Sequence, residues 1–140
     1  MSLDSTGEFG NERSENIVWC KGDGYRLPTE AEWEWAARGG QRSQGYNFAG
    51  SNNLNAVGWY NENSGRAAHA VGEKAANELG LFDMSGNVYE WCVDLNTTGR
   101  RIRGGSWYPS VGYCTVANRT FVYDPVTRTT SLGFRLARSL

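Results

Sequence analysis

Apolar residues follow a readable period at three places along the chain and are scattered elsewhere. The first is in GYRLPTEAEWEWAARGG, where Trp33, Ala36 and Ala37 recur at i, i+3 and i+4. Thr29 and Glu32 have the spacing of a capping box, Glu30 and Glu32 sit in the first turn, and Gly39 supplies the stop, so a helix over about 30–38 is predicted with Trp33 as its core anchor. The second is LFDMSGNVYEWCVDL, which leaves a Gly-Asn turn and continues through Val88, Trp91 and Val93 as a strand. The third is LGFRLARSL, where Leu132, Phe134 and Leu136 alternate with Gly133 and Arg135, the period of a half-buried strand with the apolar residues inward.

Between these elements the pattern is polar. Residues 1–16 carry no period and read as a flexible lead-in, with the domain spanning 17–140 from the short apolar patch at Ile17, Val18 and Trp19. Residues 41–80 are rich in Asn, Ser and Gly and read as structured loops. They hold the only histidine, His69, which has no second histidine or nucleophile beside it in sequence and reads as either an exposed residue or a minor structural hydrogen bonder.

Composition sharpens this picture. Eighteen glycines, six tryptophans and seven tyrosines in 140 residues describe a loop-rich domain of many turns held by large aromatic anchors. A net charge of -1 gives no electrostatic footprint for nucleic acid, and Arg100, Arg101 and Arg103 form only a loose basic cluster. No apolar run approaches the roughly 20 residues that span a bilayer, so no transmembrane segment is expected. The three cysteines, Cys20, Cys92 and Cys114, lie far apart with no CxxC, which argues against a zinc knuckle or redox pair and for buried thiols.

Two stretches carry candidate chemistry. In DMSGNVYE, Asp83 and Glu90 bracket a tight turn at Gly86 and Asn87; such a turn can direct oxygens at a hard cation or be an ordinary turn with flanking carboxylates. In RGGSWYPSVGYCTVANR, two glycines, a serine and a tryptophan look like a rigid frame, while the residues that follow share no charge or period. They read as either a reactive centre or a display surface.

The ordered motifs GYRLPTEAEWEWAARGG, GLFDMSGNVYEWCVD, RGGSW and GFRLA closely resemble the formylglycine-generating, sulfatase-modifying factor family. The resemblance implies an α+β fold of the C-type lectin-like, formylglycine-generating enzyme type, loop-rich with short strands and one or two helices. It implies a structural calcium ion at Asp83, Gly86, Val88 and Glu90. The family's enzymes oxidise a substrate cysteine with copper held by two cysteines, whose positions fall on Pro109 and Cys114 here. Proline ligates nothing through its side chain, so no copper and no catalytic residue are expected.

Non-catalytic members of the family include the variable proteins of diversity-generating retroelements, in which adenine-directed randomisation changes residues between fixed frame positions. The C-terminal region at about 103–138 is similar to that pattern, with Trp107, Cys114, Ala117, Asn118, Arg119, Pro125, Arg128 and Gly133 as frame. Tyr108, Pro109, Ser110, Tyr113, Thr120, Phe121, Val122, Tyr123, Thr127, Thr129, Thr130 and Ser131 fall between them as ligand-binding positions. Randomising the adenines of an AAC codon never yields Trp, Lys, Glu, Gln or Met, and none of these occurs from Tyr108 to Ser131. Tyr and Phe give rigid contact area and Ser and Thr adaptable hydrogen bonds, a composition suited to recognition. The expectation is a non-catalytic receptor for a protein or glycan outside the cell, at the cell surface or extracellular. Its rivals are a formylglycine-generating oxidase, or a related iron oxygenase, and a structural module of a larger complex.

Overall fold

The computed structural model describes residues 24–119 and 121–138; the lead-in, the patch at 17–19, Cys20 and Thr120 lie outside the described residues. The architecture is α+β with short elements joined by long, ordered loops. Helix α1 spans Glu30–Ala37 and α2 spans Leu54–Val57. Strands β2 (Tyr89–Asn96) and β3 (Gly99–Arg103) form an antiparallel hairpin. To it are added β4 (Val122–Tyr123), antiparallel on β3, and β5 (Leu132–Gly133), parallel to β2, in the order β4-β3-β2-β5. Separately, β1 (Tyr25–Arg26) pairs antiparallel with β6 (Ala137–Arg138).

Local chemistry explains α1. The Thr29 hydroxyl accepts from the Glu32 amide at 3.1 Å, and the Glu32 carboxylate accepts from the Thr29 amide at 2.8 Å, which completes the predicted capping box. At the other end the buried Asn77 side chain donates to the Ala36 carbonyl at 2.7 Å and accepts from the Leu79 and Leu81 amides, tying the helix terminus to a distant loop. Trp33 is buried as expected and packs with Ala37, Ala49, Met84, Cys92 and Val116. A second cluster, Phe48, Leu54, Val57, Tyr60 and Cys114, lies under the loops.

The C-terminal stretch departs from its predicted pattern. It forms two two-residue strands in different sheets, with Phe134 65% and Leu136 55% exposed. Arg135 points inward instead, donating to both oxygens of the buried Glu90 at 2.7 Å. A buried carboxylate is costly unless a cation pairs with it, and that demand overrides the apolar alternation.

Candidate functional site

The site is built on a charged hub beneath the RGGSW frame. Glu30, at the first position of α1, is buried and receives Arg103 at 2.9 Å and Arg119 at 2.9 and 3.0 Å, with Arg101 at 3.8 Å. Arg103 is wholly buried, lies 5.0 Å from the Trp33 ring centroid, and also donates to Glu34 at 2.8 Å and the Val116 carbonyl at 2.6 Å. Burial pushes the Glu30 carboxyl up, but hydrogen bonds and charge from Arg119 and Arg103 outweigh it and hold the group below its ordinary value. The basic cluster seen in the sequence is thus a structural keystone. Its signal was the arginine opening RGGSW, and its partner 73 residues away in PTEAEW could not be read locally.

Above the hub the chain is gripped mainly by its backbone. Arg101 donates to the Arg119 carbonyl at 2.9 Å, the Tyr89 amide to the Ser131 carbonyl at 2.8 Å, and the Trp107 indole to the Thr130 carbonyl at 3.2 Å. Carbonyl contacts do not depend on the side chain of the residue held. Gly105, at φ 76°, lets the frame approach Cys114: a Cβ there would stand 2.6 Å from the Cys114 sulfur. Cys114 itself is fully buried, and burial pushes its thiol up to about 12.

None of the described positions expected to bind a ligand is buried. Tyr108 is 73% exposed; Ser110, Tyr113, Thr129 and Thr130 are exposed, and Pro109, Phe121, Val122, Tyr123, Thr127 and Ser131 half-buried. The aromatic ones are braced edge-on or tilted: Tyr113 against Phe121 at 5.1 Å, Phe121 against the buried Tyr89 at 5.6 Å, and Tyr123 against Trp91 at 6.5 Å. The frame positions divide. Cys114 is buried, Arg119 holds Glu30 and Gly133 packs on Val88, whereas Ala117, Pro125 and Arg128 are exposed.

The expected cation positions are differently engaged. Both Glu90 oxygens accept from Arg135, and Oε2 also accepts from the Trp33 indole at 2.6 Å. Asp83 Oδ2 accepts from the Gly72 amide at 2.8 Å, while its buried Oδ1 has no partner. Among the described residues no three His, Cys, Asp or Glu side chains gather for a metal. A calcium ion at Asp83, Gly86, Val88 and Glu90 would have to displace the Arg135 guanidinium from Glu90, whereas the buried Asp83 Oδ1 is left without a partner.

Sequence reasoning missed Asn87. It adopts φ 64°, and its side chain clamps the backbone of His69, accepting from the amide at 3.0 Å and donating to the carbonyl at 3.2 Å. Its carbonyl accepts from the Trp107 amide at 2.8 Å, so the 60s loop and the frame share one anchor. His69 is the expected structural bonder, stacked on Trp59 at 3.7 Å with its Nε2 on the Ser64 carbonyl at 2.7 Å.

The sequence pattern of the sulfatase-modifying factor enzyme 1-like domain matches residues 3–140. The chain belongs to the sulfatase-modifying factor family. The chaperone protein LppX of Paenibacillus barcinonensis is 38% identical over 79% of this chain and 50% of its own length. Inactive C-alpha-formylglycine-generating enzyme 2 of Bos taurus is 31% identical (86% and 46%), as is the formylglycine-generating enzyme of Thermomonospora curvata (89% and 52%). The solved structure of Treponema denticola variable protein 1 superposes with a TM-score of 0.73 at 42% identity, over 83% of this chain and 48% of that one. The fold is therefore the C-type lectin-like fold of the formylglycine-generating type, in which active enzymes, inactive ones and a variable protein are all relatives. The chain spans about half the length of the curated relatives it matches.

Proposed function

We propose that this family member is a non-catalytic binding protein whose segment 108–131 displays diversified side chains to a protein or glycan ligand outside the cell, in the manner of the variable proteins of diversity-generating retroelements. The observation that carries this is the grip on the segment's backbone at Arg119, Thr130 and Ser131, beside ligand-binding positions none of which is buried among those described. A segment held by its carbonyls tolerates changes of side chain that a segment held by its side chains does not. Oxidase chemistry is disfavoured by the residues themselves: Pro109 offers no side-chain ligand atom, and Cys114 alone does not make the two-thiolate site that suits Cu(I).

The test is to resequence the gene across isolates of one population and to search for a near-copy of its 3′ end beside a reverse transcriptase. Differences confined to template adenines within codons 108–131 support the proposal. An invariant segment without a template copy refutes it and returns attention to formylglycine generation, the activity named for the Thermomonospora curvata relative.

A further inference from the structure

A cleft of about 590 Å³ opens beside the display segment, lined by Asn61, Arg66, Trp107 and Tyr108. Of these only Tyr108 is among the diversified positions; one whole wall, Asn61 and Arg66, comes from the loop before His69. The two walls are locked together from behind. The buried Ser64 hydroxyl donates to the Trp107 carbonyl at 2.9 Å and accepts from the Arg66 amide at 3.2 Å. The Ser64 carbonyl accepts from His69, and Asn87 holds both His69 and Trp107. The cleft thus keeps its shape without a ligand, which lowers the ordering cost of binding.

Its chemistry is one-sided. Arg66 is exposed, sits at φ 66°, and among the described residues forms no ion pair; no carboxylate lines the cleft. Trp107 and Tyr108 meet at 80° with centroids 5.8 Å apart, making an apolar corner and not a flat platform. The Trp107 indole N–H is already engaged by Thr130. A planar carboxylate matches the guanidinium fork, and a short methylene stem matches the corner; a sugar ring would ask for an open aromatic face.

We infer that this cleft is a subsite, constant at Asn61, Arg66 and Trp107 and varied only at Tyr108, that receives an acidic side chain, glutamate in particular, of a protein ligand. The inference rests on the binding-protein reading and deepens it: specificity is divided between a diversified surface and a fixed anchor for an anion.

The test uses purified protein labelled with 15N and two probe peptides, acetyl-Ser-Glu-Ser amide and its glutamine counterpart, with D-glucuronate as a third. Trp107→Phe assigns the Trp107 indole resonance. The glutamate peptide should move that resonance and the Arg66 amide, and bind about three- to tenfold tighter than the glutamine peptide. Arg66→Gln should erase the preference while the rest of the spectrum stays in place, since Arg66 is exposed. Equal affinities, no shift at Trp107, or tighter binding of glucuronate would overturn the subsite. Failure here with variation among isolates would sink the subsite alone, whereas an invariant gene with a positive titration would sink the diversified reading and leave the subsite standing.

Discussion

Replacing Glu30 by Gln removes the one charge that Arg103, Arg119 and Arg101 share, while keeping volume and one acceptor. Arg103 has no exposure through which water could take over, so the substitution leaves a buried cation with only Glu34 and the Val116 carbonyl. Breaking a buried pair from one side costs about 3–5 kcal/mol when the charge is left uncompensated, which is the upper limit here because Glu34 still pairs with Arg103 at 2.8 Å. With an unfolding entropy of about 2.1 cal/mol/K per residue, that limit corresponds to a fall in Tm of roughly 10–17 °C for a chain of this length. Arg119→Gln removes a contact whose cationic side is 62% exposed and screened by water, and should cost far less. Urea unfolding at neutral pH, followed by tryptophan fluorescence, measures both. The reasoning fails if Glu30→Gln costs no more than Arg119→Gln, for then the arginines would be anchored by something other than that carboxylate.

Further outcomes follow from the same contacts. Hydrogen bonds from Arg26 and the Thr29 amide hold Glu32 down to about 2, against an ordinary 4.5, so its stabilisation is full above the ordinary value and is lost as pH falls toward 2; Glu32→Gln should flatten the acid limb of a Tm-against-pH curve. Cys92 and Cys114, both pushed up to about 12, should resist a thiol reagent in the folded protein at about pH 8 and react once urea unfolds it. Gly105→Ala would drive a methyl onto the Cys114 sulfur at positive φ and should cost about 3 kcal/mol or more in urea unfolding. Because Arg135 covers Glu90, excess EDTA should leave Tm unchanged; a rise in Tm on adding calcium would show instead that Asp83, Gly86, Val88 and Glu90 bind it.

What could be read in advance was what is decided locally. The helix at 30–37 follows from the capping box and one buried tryptophan, and β2 from the apolar run after a Gly-Asn turn. Strand β3, GRRIR, reads by itself only as part of a loose basic cluster, because the burial of Arg103 depends on Glu30, far away in sequence. The inversion at Phe134 and Arg135 has the same origin, since Glu90 decides which side chain turns inward. At the candidate site, residue types between 108 and 131 marked the segment, and the backbone contacts explain how it is held. The cleft wall at Asn61 and Arg66 had no sequence signal, because it exists only through the Ser64 and Asn87 links to Trp107.

The central claim is that the exposed positions between the frame residues of segment 108–131 are relieved of structural duty, while Cys114, Val116 and Arg119 within the same segment carry it. Saturation libraries at Tyr108, Ser110, Thr129 and Thr130, and in parallel at Glu30, Arg103 and Cys114, can be sorted for folded protein after heat challenge. The account predicts that nearly every residue type survives at the first four positions and almost none at the last three; comparable intolerance in both sets would contradict it.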